Sequence, residues 1–120
     1  MTEIISRELL KDLLTKWRNH ELAEDQLHDW AENKYLNDGV DYSDWESDNS
    51  VTNEVLGALD MMDMNLMTKE DIETYMKFLD TPPGQFIQGY RELQDYLKTI
   101  NYSERKRALA KIPFYKKFCG

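Results

Sequence analysis

At 120 residues, with 41% apolar, 12% aromatic and 32% charged side chains, the chain has the size of one domain and enough aromatic surface to bury a core, which excludes intrinsic disorder. Its net charge of −8 excludes a chain that coats nucleic acid or an anionic membrane as a whole, and favours encounter with a basic partner. The charge is uneven: residues 1–60 carry 15 acids and 5 bases, whereas residues 61–120 carry 8 acids and 10 bases.

The first periodic stretch has Ile5, Leu9, Leu10, Leu13, Leu14 and Trp17 on one stripe, which predicts a helix from about Glu3 to Arg18. A second helix is expected from Ala23, with Leu22 and Leu27 at staple spacing and Gln26 at the third helical position. Its buried stripe is Leu27, Trp30, Ala31 and Tyr35, and it should stop before the turn signal Asn37-Asp38-Gly39. Residues 37–49 hold no period and read as a loop with at most one helical turn.

The third helix, capped by Asn49 or Ser50, should bury Val51, Val55, Leu56, Leu59 and Met62. A methionine-rich stretch, residues 61–67, reads as core filler between helices or as an adaptable binding surface. Thr68 then caps a helix with Asp71 three residues on and Met67/Ile72 as its staple, burying Ile72, Tyr75, Met76 and Leu79 and ending before Thr81-Pro82-Pro83-Gly84. A fifth helix is expected over Gln85–Thr99 with Phe86, Tyr90, Leu93, Leu97 and Ile100 inward. A short basic helix capped by Ser103 should run to Lys111, halted by Pro113. Strand-like alternation does not persist for even five residues. The expectation is all-α: a single domain over 1–120, five to six short helices, an acidic loop between the second and third, and a frayed tail over 113–120.

The chemistry-bearing patterns fail one by one. In the acidic segment an EF-hand loop starting at Asp44 puts Asn49 where glycine is needed and Val55 where the bidentate glutamate belongs. His20, Glu24 and His28 are spaced by four but separated by a helix break, so both histidines read as solvated and no metal is expected. Ser6, Ser50 and Ser103 read as helix caps, Cys119 lies near the end, and the five glycines are scattered, so neither a nucleophilic triad nor a phosphate loop is built. No enzyme activity and no cofactor are expected. The N-terminal Met1-Thr2-Glu3-Ile4-Ile5 has no signal-peptide character, and no apolar run approaches the ~20 residues of a membrane span. A cytoplasmic protein with no membrane contact is the expectation. The basic tail (Arg105, Lys106, Arg107, Lys111, Lys116, Lys117) reads as a solvated face or as a counterweight to the acidic half.

The segment Asn37–Asn49 stands apart. Asp38, Asp41, Asp44, Glu46 and Asp48 have no base among them, and across 24–60 eleven acids face Lys34 alone. Such a cluster repels itself and calls for a counter-charge in the same chain or in a partner. Tyr42 and Trp45 lie inside it, and aromatics set among charges are the usual make-up of a binding hot spot. The candidate partner-binding residues are therefore Asp38, Asp41, Tyr42, Asp44, Trp45, Glu46 and Asp48. The competing reading is a solvated loop with Trp45 plugged into the core.

The segments Leu14-Thr15-Lys16-Trp17, Leu27-His28-Asp29-Trp30-Ala31-Glu32, Val55-Leu56-Gly57-Ala58-Leu59-Asp60, Thr68-Lys69-Glu70-Asp71-Ile72 and Phe78-Leu79 resemble those of small acidic helical immunity proteins of bacteria. These accompany bacteriocins and contact-dependent inhibition toxins, the colicin-D type included. The resemblance covers roughly residues 9–80 and rests on the spacing of Leu, Trp and Asp. It implies a protein that binds a basic toxin domain, often a nuclease, and occludes its active site with acidic residues, without itself touching nucleic acid. The alternative is a non-enzymatic helical adaptor that uses the methionine and aromatic surface near 61–67.

Overall fold

The computed structural model of the chain describes residues 2–120. In chain order it has β1 (Glu3–Ile5), α1 (Arg7–Arg18), α2 (Glu24–Tyr35), β2 (Val40–Tyr42), α3 (Val51–Asp60), a 3-10 turn (Lys69–Asp71), α4 (Ile72–Leu79), α5 (Phe86–Lys98), α6 (Tyr102–Leu109) and α7 (Pro113–Lys116). The fold is mostly helical, as expected, with two corrections: the described residues form seven helices where five to six were expected, and a two-stranded parallel sheet joins β1 to β2, Glu3 opposite Val40 and Ile5 opposite Tyr42.

That sheet shortens the first helix. Ser6 is extended and its hydroxyl accepts the Leu9 N–H at 3.1 Å, so α1 starts at Arg7 and residues 3–5 are free to pair. Leu10, Leu14 and Trp17 then carry the buried stripe. At the far end the Glu21 N–H reaches Lys16 O at 2.8 Å and the His20 N–H reaches Trp17 O at 3.1 Å, the bond pair of a Schellman cap. The left-handed residue of that cap is His20, with φ of 64°.

Helix α2 begins where the Gln26 side chain accepts the Ala23 N–H at 2.9 Å, and buries Leu27 and Ala31. Tyr35, expected inward, is exposed instead. The buried hydrophobic helix α3 packs on α1, α2 and α4, and α5 lies on α4. Of the two expected caps for α3 it is Ser50 that acts, its hydroxyl accepting the Asn53 N–H at 3.0 Å. The methionines divide: Met62 and Met67 are buried, Met61 and Met64 exposed. Leu66 closes that stretch in a second left-handed cap, φ 55°, with the Met67 N–H on Met62 O at 2.8 Å.

Between α4 and α5, Phe78, Phe86 and Tyr90 form an aromatic cluster, with Phe86 and Tyr90 stacked at 5.6 Å. Gly89 lets α5 close on Thr81: a Cβ there would lie 2.3 Å from the Thr81 hydroxyl. Helix α6 is capped by Asn101, whose side chain accepts the Glu104 N–H at 3.1 Å, and not by Ser103. Pro113 does not halt that helix but opens α7 at its first position, where a missing N–H costs nothing. Nor is 113–120 a frayed tail: Tyr115 is buried with its hydroxyl donating to Met67 O, and Phe114, Phe118 and Cys119 pack around a small cluster with Leu66 and Leu109.

Candidate functional site

The segment 37–49, expected as a loop, is ordered by its backbone. Val40–Tyr42 pairs with β1, and the Ser43 N–H continues the ladder onto Ile5 O at 3.2 Å. Beyond it Glu46 and Asn49 exchange both backbone bonds, at 2.6 and 3.0 Å, around a tight turn in which Ser47 is left-handed with φ of 60°. Three residues of strand pairing are too short to leave a period-two signal. Their partner also lies on the far side of two helices in the sequence.

Asp44 is the residue that ties this segment down. Its carboxylate accepts from the hydroxyls of Ser50 and Thr52, the latter at 2.6 Å, from the Thr52 N–H at 3.2 Å, and from Arg7 Nε at 2.9 Å. Burial works against its charged form, but the hydrogen bonds from Ser50, Thr52 and Arg7 outweigh it and hold the pKa below the ordinary value. The same Arg7 donates to Leu79 O at 3.0 Å and to Thr81 O, placing a cation at the C-terminal end of α4. Asp44 is thus satisfied within the chain by Arg7, the one counter-charge the acidic segment receives among the described residues.

The other acids are not paired. Asp38, Asp41, Glu46 and Asp48 form no ion pair among the described residues, and Asp38, Asp41 and Asp48 are exposed. Asp41 accepts from the Trp45 indole N–H at 2.7 Å and from the Tyr42 backbone N–H at 2.8 Å, which lowers its pKa in that order of effect. Trp45 is 46% exposed, so it does not plug the core. Its ring meets Tyr42 edge-on at 5.7 Å, and Tyr42 is half-buried against the main core with its phenol pKa pushed up by burial. The indole is therefore held from both ends: its N–H by Asp41, its ring by Tyr42.

Two neighbours were not legible as site residues. Ile4, opposite Asp41 in the strand register, is exposed. Leu36 is 74% exposed and shares a shallow concavity with Asp29, Glu32 and Asp38, extending the acidic face onto α2. The available signal for Leu36 was that it stands at a helix end with Asn33 and Glu32, both polar, three and four positions before it.

The remaining expected features fall elsewhere. The basic tail does not neutralise the acidic half: Lys106, Arg107, Lys111, Lys116 and Lys117 make no ion pair among the described residues, and Arg105 pairs with Asp71 and Glu70. His20 is exposed beside Lys69, whereas His28 is half-buried, edge-on to Phe114 at 5.6 Å, with carboxylates of Asp29, Glu32 and Asp63 within 3.8 Å. Among the described residues no group of three or more His, Cys, Asp and Glu side chains is arranged to hold a metal, and no helix is long and apolar enough to cross a membrane. Compared with protein-family models, curated proteins and solved structures, the chain matches none of them.

Proposed function

We propose that this protein is a cytoplasmic immunity-type inhibitor that binds and neutralises a basic toxin domain, such as a nuclease, through the acidic face around Trp45. The observation that carries the reading is the braced, exposed indole of Trp45 among carboxylates without counter-charge. A rigid aromatic loses little entropy on binding, and unpaired acids steer a basic surface toward it. Asp38, Asp41, Glu46 and Asp48 supply the field, Tyr42 and Trp45 the anchors, and Asp44 the internal tie that keeps them in place.

The test takes the C-terminal domain of any large secreted protein whose gene is found to adjoin that of this chain. Co-expression should relieve its toxicity, and stopped-flow mixing should show fast, salt-sensitive association. Reversing Asp41, Glu46 and Asp48 to Lys should slow association and flatten the salt dependence, while Trp45→Ala should raise the dissociation rate by about tenfold or more. Unchanged rates and salt slope in both variants would overturn the site, and toxicity undiminished by the wild type would overturn the function.

A second reading, a helical adaptor, draws its support from the exposure of Met61 and Met64 on the methionine-rich turn. It requires a partner whose affinity is indifferent to salt.

A further inference from the structure

The solvent side of α3 holds a cleft that the acidic face does not use. Tyr35, at the end of α2, stands across Gly57, its ring carbon 3.4 Å from where a Cβ would sit. Because that side chain is missing, a cleft of about 310 Å³ opens between α2, α3 and α5, with Met61 and Leu97 as apolar walls. Glu54 and Asn53 stand on its rim, and Asn53 also lies beside the Tyr42 phenol at the border of the acidic face.

Glu54 is the informative group. Its carboxylate has no hydrogen bond and no ion pair among the described residues, and α3 carries no base. Glu54 is exposed at the rim, yet the cleft wall removes enough water from its carboxylate to raise the pKa, with no hydrogen bond opposing the shift. An apolar occupant would desolvate this carboxylate further and an anionic one would be repelled. A cation on a long apolar stem satisfies both halves of the cleft, with methylenes on Met61 and Leu97 and the charge at Glu54 and over the face of Tyr35.

We propose that this cleft is the receptor for one lysine or arginine side chain of the basic partner, its stem lying on Met61 and Leu97 and its charged head between Tyr35 and Glu54. The proposal rests on the acidic face being the partner-binding face. The cleft reads the identity of one residue, whereas the exposed acids read net charge alone.

The experiment needs no partner. Nα-acetyl-argininamide is titrated into the 15N-labelled protein and compared with Nα-acetyl-citrullinamide, its uncharged isostere. The expected result is saturable shifts confined to the amides of residues 53–61 and Tyr35 with the arginine probe and not with citrulline. Glu54→Gln, an exposed change that keeps the shape, should weaken binding about tenfold, and Gly57→Leu, which fills the cleft, should abolish it. Equal shifts from both probes, shifts spread over the whole acidic face, or unchanged binding in Glu54→Gln would each overturn the proposal. Charge reversal at Asp41, Glu46 and Asp48 leaves the cleft intact, so failure of the cleft and failure of the wider face are read separately.

Discussion

Arg105 grips the carboxylate of Asp71 with two nitrogens, at 2.8 and 2.7 Å, and thereby fastens α6 to the start of α4. Asp71 is 1% exposed and also accepts from the Tyr96 hydroxyl and the Thr68 N–H. Arg105 further donates to the carbonyl of the left-handed Leu66 at 3.0 Å. Asp71 raises the Arg105 pKa well above its ordinary value, so the guanidinium keeps its charge.

Arg105→Met strands a buried carboxylate and should cost about 3–5 kcal/mol in urea denaturation at neutral pH. The double variant Arg105→Met with Asp71→Asn should cost less than the single one, because the charge that suffers is gone. A single-variant loss under 1 kcal/mol would mean that water reaches Asp71.

Asp44 predicts the acid side of the stability curve. Its folded pKa lies below the ordinary 3.8, so its contribution is fully present at neutral pH. It is lost as the pH falls from about that value through the lower folded one. Asp44→Asn should therefore lose about 1–3 kcal/mol at pH 7 and show a flatter decline below pH 4 than the wild type. Parallel curves for the two proteins would contradict this assignment.

Gly89→Ala gains helix propensity, yet its Cβ would collide with the buried Thr81 side chain at 2.3 Å. The collision should win, with a net loss of about 1–3 kcal/mol. Thr81→Ala in the same chain should recover part of it, a coupling that thermal melts of the four cycle members would reveal.

His20→Gly works in the opposite direction. Removing the Cβ from the left-handed position of the α1 cap should stabilise the fold by about 0.5–1 kcal/mol, net of the lost contact with Lys69. A lower melting temperature would show that the Lys69 contact outweighs the backbone strain.

The helices were readable because their apolar spacing is local: Leu10, Leu14 and Trp17 announce α1 without reference to anything distant. Ser6 and Ser50 were readable as caps for the same reason. β1 and β2 were hidden because a three-residue strand has meaning only beside its partner. Pro113 was misplaced because proline fits both a helix stop and a helix start, and the burial of Tyr115 decides between them. Within the candidate site, charge and aromatic content could be seen in the sequence. The separate roles of the acids could not, since Asp44 and Asp41 differ only in what the fold brings to them: Arg7 and two hydroxyls for one, an indole for the other.

The parallel pairing of β1 with β2 also orders events in time. Residues 6–39 lie between the two strands, so closing the sheet means docking the chain ends of a segment that already contains α1 and α2. Helices held by neighbouring turns form first, and a non-local pairing of this kind comes after them. The surface that carries Trp45 is accordingly assembled late and is among the first parts to open, with few backbone bonds to protect it. Amide exchange at Ser43 should then outpace that of the buried turns of α3. A freshly synthesised chain would acquire its helical body before it acquires the face that meets a partner.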